Sequence, residues 1–204
     1  MVATRIEAVL FDWGGVLIEN PASGLMEYCA RALGVSTDEY TQAHNRHAEA
    51  FQKGLVAEAV FWRRVCEDLD RPAPSQASLW GEAFRAVYAP RDEVFALVRR
   101  LRGKGYRTSL LSNTEVPAME FFRELNYDGF DALTFSCAEG TYKPERKIYE
   151  VAARKLGLAT AQCVLIDDRT DFIEGARQAG MHGILYESLD QVERNLEQIG
   201  AEIR

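Results

Sequence analysis

The sequence is poor in several features, and each shortage closes off a class of protein. It has four cysteines in 204 residues. Cys29, Cys66, Cys137 and Cys163 are far apart and form no C-x-x-C pair, so they supply neither a disulfide frame nor a cysteine zinc site. They read as small buried hydrophobes in a reducing compartment. No apolar run approaches the roughly 18 residues of a membrane-spanning helix. The first apolar stretch, after Arg5, is broken at Asp12 and is too short for a secretory leader; the expected location is cytoplasmic. Basic charge is scarce too, with 24 Lys and Arg against 31 Asp and Glu and a net charge of −7. Nucleic acid and anionic membrane are therefore excluded as main partners, because both require a basic footprint. A phosphorylated small molecule needs only one local positive site and stays admissible. There is no internal repeat and no low-complexity tract.

What is present is ordinary for a globular chain: 47% hydrophobic and 27% charged residues, enough to bury a sizeable core without staples. The length suits one domain, or one domain with an insert. Short apolar runs recur at wide spacing: Ala8–Phe11, Ser109–Leu111, Leu133–Phe135, Val164–Ile166 and Gly183–Tyr186. Runs that are apolar throughout suit parallel strands buried on both faces. Helix-period segments lie between them. Val94, Leu97, Val98 and Leu101 share one stripe, with stop signals at Gly103 and Gly105. Ile148, Val151, Ala152 and Leu156 share another, closed by Gly157. Further helices are expected from Asp171 to Ala179, before Gly180, and from Leu189 to Ile199, with Val192 and Leu196 inward. The alternation predicts a doubly wound α/β fold with a parallel sheet.

One interval breaks that rhythm. Between Val16 and Pro90 no strand is expected, but four helical patterns are: Leu25–Leu33, Asp38–Phe51, Ala57–Leu69 and Gln76–Tyr88. Gly34, Gly54 and Arg71-Pro72-Ala73-Pro74 separate them. The expected division is a core of residues 1–15 and 91–204, with an all-helical insert at 16–90 over the carboxyl edge of the sheet.

Ligands of open α/β sheets bind beyond the carboxyl ends of the strands, and four polar motifs fall there. Asp12 follows the first strand, ahead of Trp13-Gly14-Gly15. Ser112-Asn113-Thr114 follows the second, Lys143-Pro144 the third, and Asp167-Asp168 ends the fourth. Each has a purely structural alternative: a turn at Asp12, an N-cap at Ser112 or Asn113 for a helix around Met119, an exposed loop lysine, or acids favoured by a helix dipole. Their common edge decides against four coincidences. Three converging carboxylates repel one another unless a cation lies between them, and hard oxygen ligands with water suit Mg²⁺. A lysine and a hydroxyl beside the metal make a pocket for a phosphate dianion.

In this order, Asp12, Ser112, Lys143 and Asp167-Asp168 resemble the four motifs of the haloacid dehalogenase superfamily. The helical insert is similar to its C1 cap. Leu111-Ser112-Asn113-Thr114, Lys143 to Tyr149, and Glu174-Gly175-Ala176 after the acidic pair strengthen the likeness, particularly to bacterial glucose-1-phosphate phosphatases and the phosphatase domain of soluble epoxide hydrolase. The resemblance implies a phosphatase in which Asp12 attacks phosphorus and the resulting aspartyl-phosphate is hydrolysed. It also implies Mg²⁺ held by Asp12, the Gly14 carbonyl and Asp168, with Asp167 acting through water. Ser112, Asn113 and Lys143 would hold the phosphoryl oxygens.

One position departs from the pattern. The family's phosphatases carry a second aspartate two residues after the nucleophile, as acid–base; here that residue is Gly14. A positioned acid–base contributes typically 10²–10⁴-fold. The expectation is therefore an enzyme restricted to good leaving groups, such as aryl or sugar 1-phosphates, or one taking its proton from Glu19, His44 or His47. His44 and His47 also read as a solvated polar face, Trp13 as either pocket wall or core, and Phe51, Phe61 and Trp62 as core of the insert. Two alternatives stand beside the phosphatase: a binding-only family member that has lost catalysis, and a metal-free 2-haloacid dehalogenase.

Overall fold

The computed structural model describes residues 5–202. After β1 (Ala8–Phe11) come four helices, α1 (Ala22–Leu33), α2 (Thr37–Gln52), α3 (Glu58–Leu69) and α4 (Leu79–Val87). Then follow α5 (Asp92–Gly103), β2 (Arg107–Ser112), α6 (Val116–Glu124), β3 (Ala132–Phe135) and the single-turn α7 (Ser136–Glu139). The chain continues through α8 (Arg146–Lys155), a 3₁₀ turn at Thr160–Gln162, β4 (Cys163–Asp167), α9 (Thr170–Gln178), β5 (His182–Leu185) and α10 (Leu189–Gln198).

The five strands form one parallel sheet in the order β3-β2-β1-β4-β5. The strands are those the apolar runs predict, and alternate side chains go to opposite faces. Val9 and Phe11 join a cluster with Val94, Leu97 and Leu101 of α5 and Val192 and Leu196 of α10. Ala8 and Leu10 pack on the other face with Ile148 and Ala152 of α8 and Ile173 and Ala176 of α9. The order reverses at β1, whose neighbours are β2 and β4, so the switch point that binds ligands in such sheets lies at the end of β1.

The helices between β1 and β2 start and stop for local reasons. Ser36 caps α2 in a capping box with Glu39, Ser78 caps α4, and Gly34 ends α1 in a left-handed conformation with φ 66°. Their shared interior is aromatic. Phe51 stacks on Phe61 at 4.3 Å and His44 on Trp80 at 5.1 Å. Each fully buried Phe contributes roughly 1.5–3 kcal/mol, so these ring contacts help to hold the four helices together. Phe51, Phe61 and Trp62 are core, as expected, and so is Trp13, which stacks on Phe84 at 4.7 Å. The chain leaves and re-enters the sheet layer side by side: Glu19 N–H donates to the Ala89 carbonyl and Arg91 N–H to that of Leu17, at 2.8 and 2.9 Å.

α5 ends at Gly103, where the sequence places its first stop signal, and the turn follows at Gly105, with φ 89°. Two local expectations are corrected. The helix around Met119 is α6, and its N-cap is Glu115, not Ser112 or Asn113. His44 does not face solvent: its ring is buried between Trp80 and Phe61, and Tyr40 Oη lies 3.3 Å from its Nδ1.

Candidate active site

Parallel pairing of β1 with β4 sets Phe11 opposite Ile166, so the next residues, Asp12 and Asp167, emerge side by side. Asp12 N–H donates to the Ile166 carbonyl at 3.0 Å, and Trp13 N–H to the Asp12 carboxylate at 2.7 Å. Lys143 lies between the two acids. Its ammonium is 2.9 Å from Asp12 Oδ1 and 2.6 Å from Asp167 Oδ2, with no side-chain exposure to solvent. This lysine is no ordinary loop residue. Asn113 fixes its backbone from both sides, accepting from Lys143 N–H at 2.8 Å and donating to Lys143 O at 2.9 Å. A register of two amide bonds from β2 thereby aims the lysine at the end of β1.

Asp168 completes the group. Carboxylate oxygens of Asp12, Asp167 and Asp168 all lie within 4.8 Å of one another. Asp167 has both oxygens engaged, by Lys143 and by Arg169 N–H at 3.0 Å. Asp168 receives Asn20 Nδ2 at 3.2 Å. Gly15 explains itself here: at φ 89° any Cβ would overlap the Asp168 carboxylate. Ser112 ends β2 beside this group, its hydroxyl 2.6 Å from Thr114 Oγ1.

The electrostatics are unbalanced. Burial pushes the Asp12 carboxyl up to about 7, with Lys143 pulling down and Asp167 pushing up. Burial also opposes charge on Lys143, but Asp12 and Asp167 outweigh it and hold the ammonium above its ordinary range. Asp168 is raised by burial and by Asp167. Three acids around one ammonium leave room for further positive charge. The donor set, three hard carboxylates with Gly14 in the same cavity lining, fits a small divalent cation such as Mg²⁺.

A cavity of about 670 Å³ opens above this floor, lined by Asp12, Ser112, Asn113, Lys143 and Asp168 below and by His44, Trp80 and Phe84 from the inserted helices. The three acid–base candidates fare differently. Glu19 is clamped by Arg91 at 3.0 and 2.8 Å, which holds its carboxyl below the usual range and makes it a poor proton donor. His47 is bound to Asp68 at 3.0 Å on α3. His44 does line the cavity, but burial pushes it down to about 4 and leaves it neutral near pH 7.

Sequence reasoning missed Glu115 and Asn20. Glu115 is a buried wall of the cavity, taking Trp80 Nε1–H at 3.0 Å, and burial raises its carboxyl. Its signal was present: an acid three residues past Ser112, at the same sheet edge.

Residues 6–180 match the sequence profile of the haloacid dehalogenase-like hydrolases. The chain belongs to that family. This hydrolase is 25% identical over 186 residues to a sesquiterpene phosphatase of Aspergillus oryzae, covering 90% of this chain and 91% of that protein. It is 26% identical over 212 residues to a phosphatase of Mycobacterium tuberculosis, covering 96% of each. A haloacid dehalogenase family enzyme of Bacteroides thetaiotaomicron, solved with magnesium and inorganic phosphate, shares the fold. It has a TM-score of 0.74 and 20% identity, over 90% of this chain and 96% of that one.

Proposed function

We propose that this hydrolase is a Mg²⁺-dependent phosphatase acting on a small phosphorylated metabolite through an aspartyl-phosphate on Asp12. The observation that carries the reading is the buried lysine shared by Asp12 and Asp167, with Asp168 beside them, on the floor of a cavity. Its relatives named as phosphatases support it. Asp12 supplies the attacking carboxylate oxygen, held in position by Trp13 N–H. Lys143 draws that carboxylate toward its ionised form against the effect of burial and meets the transferring oxygens. Ser112 and Asn113 hold the phosphoryl group against it. Asp12, the Gly14 carbonyl and Asp168 would hold Mg²⁺, which supplies positive charge against the approaching dianion. Asp167, with both oxygens already bonded, fits the outer role, and Asp168 the direct one. Among the described residues, 16–90 form the cap over the site, and 5–15 with 91–202 the core. Four free cysteines suit the reducing cytoplasm.

Gly14 leaves the family's acid–base position without a side chain, and none of Glu19, His44 and His47 fills it. The leaving oxygen then departs largely as an anion, which favours acidic leaving groups: aryl phosphates first, then sugar 1-phosphates, ahead of sugar 6-phosphates. Two carboxylates beside the nucleophile argue against metal-free attack on a haloacid, since they repel an anionic substrate. The test is phosphate release from p-nitrophenyl phosphate with and without a chelator. Mg²⁺-dependent turnover is expected; no release at any metal concentration would favour a binding-only protein, and chelator-resistant release would remove the metal from the account.

A further inference from the structure

The cavity of about 670 Å³ lies within the roughly 300–1,000 Å³ of small-molecule sites, far more than a phosphoryl group fills. Its two sides differ in chemistry. The core supplies the charged cluster around Asp12. The inserted helices supply carbon from Leu25, Met26 and Phe84, and uncharged polar groups from Thr41 and Asn45.

Among the described residues, the cations of that lining are Lys143 and Arg169, and both are engaged. Lys143 belongs to Asp12 and Asp167. Arg169 has its fork on Asp171, at 3.0 and 2.7 Å, and lies over the Phe172 ring at 4.1 Å. His44, stacked on Trp80 and held neutral by burial, adds no positive charge. The remaining ionisable groups are acids: Glu115, Asp168 and Asp171 all line the cavity. A second anion bound there would lose water and face carboxylates with no free cation to receive it.

Resting on the phosphatase reading above, we propose that the substrate is the phosphomonoester of an uncharged, largely apolar hydroxy compound, a phenolic or otherwise acidic hydroxyl being the better leaving group. Its carbon skeleton packs on Leu25, Met26 and Phe84, and the cavity rejects esters that carry a second anionic group. Selection of this kind works by repulsion as much as by contact. It excludes phosphorylated carboxylic acids, bisphosphates and nucleoside di- and triphosphates while leaving the phosphoryl site unchanged.

The experiment compares hexylphosphonate with its ω-carboxylate analogue, by calorimetric binding to the Mg²⁺-loaded protein. Both are non-hydrolysable and identical at phosphorus, so their affinity ratio reports the rest of the cavity alone. Hexylphosphonate is expected to bind at least about tenfold tighter, the equivalent of one tenfold step in affinity. Asn45→Arg, at an exposed position on the wall, places a free cation there and should shift the ratio about tenfold toward the carboxylate. Equal affinities in the wild type, or a ratio unmoved by Asn45→Arg, would overturn the proposal. Turnover of p-nitrophenyl phosphate is measured alongside: its absence refutes the phosphatase reading, whereas its presence with equal affinities refutes only the substrate class.

Discussion

Replacing Lys143 with methionine keeps a side chain of similar length and takes away its charge, at the point where nucleophile and acidic pair meet. The ammonium is 2.9 Å from Asp12 and 2.6 Å from Asp167. At an effective dielectric near 20, each contact carries about 6 kcal/mol of direct attraction. Much of that offsets the desolvation of three buried charges, and breaking such a pair costs roughly 3–5 kcal/mol net. Asp12 can relieve part of the cost by taking up a proton. Its carboxyl is already pushed up to about 7 by burial, and loss of Lys143 lifts it further. A folded pKa above the unfolded one binds protons more tightly in the native state, so stability is lost as pH rises toward it. The variant's deficit in metal-free denaturant unfolding should therefore be about 3 kcal/mol at mildly alkaline pH and shrink on acidification. Activity falls for two reasons: the nucleophile is protonated near neutrality, and the transferring oxygens lose a charged partner, which costs roughly 10²–10³-fold. The assay is kcat/KM for p-nitrophenyl phosphate at saturating Mg²⁺ on protein shown to be folded. Turnover within about threefold of wild type, against that expected loss, would show that Lys143 only holds the loop.

Asp168→Asn should weaken Mg²⁺ binding, measured by calorimetry, more than Asp167→Asn does; equal effects would reverse the roles drawn from their hydrogen bonds. His44→Phe should flatten the acid side of the stability profile. Burial holds the folded His44 at about 4 against an ordinary 6.5, so its neutral form contributes stability that is present above pH 6.5 and lost as pH falls toward 4. The difference amounts to roughly 3 kcal/mol by linkage, and an unchanged acid limb in urea melts would sink it. Gly14→Asp should raise turnover of alkyl phosphates more than of aryl phosphates, restoring an acid where none stands. The added Cβ lies 3.0 Å from Pro21 Cδ, so the effect should be larger when combined with Pro21→Ala. A leaving-group series identical in wild type and variant would mean that another residue already supplies the proton.

The sheet was legible because buried parallel strands are apolar throughout, and β1 and β4 read directly as Ala8–Phe11 and Val164–Ile166. Strand ends were less so. β2 begins at Arg107 and includes Thr108, a polar residue whose N–H is answered by Asp131 at 2.8 Å, a pairing no local pattern encodes. The four-residue α7 is too short to show a helical period, yet it presents Ser136 Oγ–H to the Gln52 carbonyl at 2.6 Å and ties the inserted helices to the core. Asp12, Lys143 and the acidic pair were found because parallel topology sends strand ends to one edge. What stayed hidden depends on burial in three dimensions. The two histidines at positions 44 and 47 look alike in sequence, but one is sealed in an aromatic stack and the other pairs with Asp68. Glu115 gains meaning only when Trp80, 35 residues earlier, arrives above it.

The most direct test of the account is whether phosphate passes through Asp12. The enzyme is mixed with a radiolabelled phosphate ester and Mg²⁺, quenched in acid during turnover, digested and mapped. The account predicts an acid-stable, base-labile phosphoryl group on the peptide containing Asp12, chased by unlabelled substrate and absent from Asp12→Asn along with phosphate release. Full turnover by Asp12→Asn, or label that maps to any other residue, would contradict it.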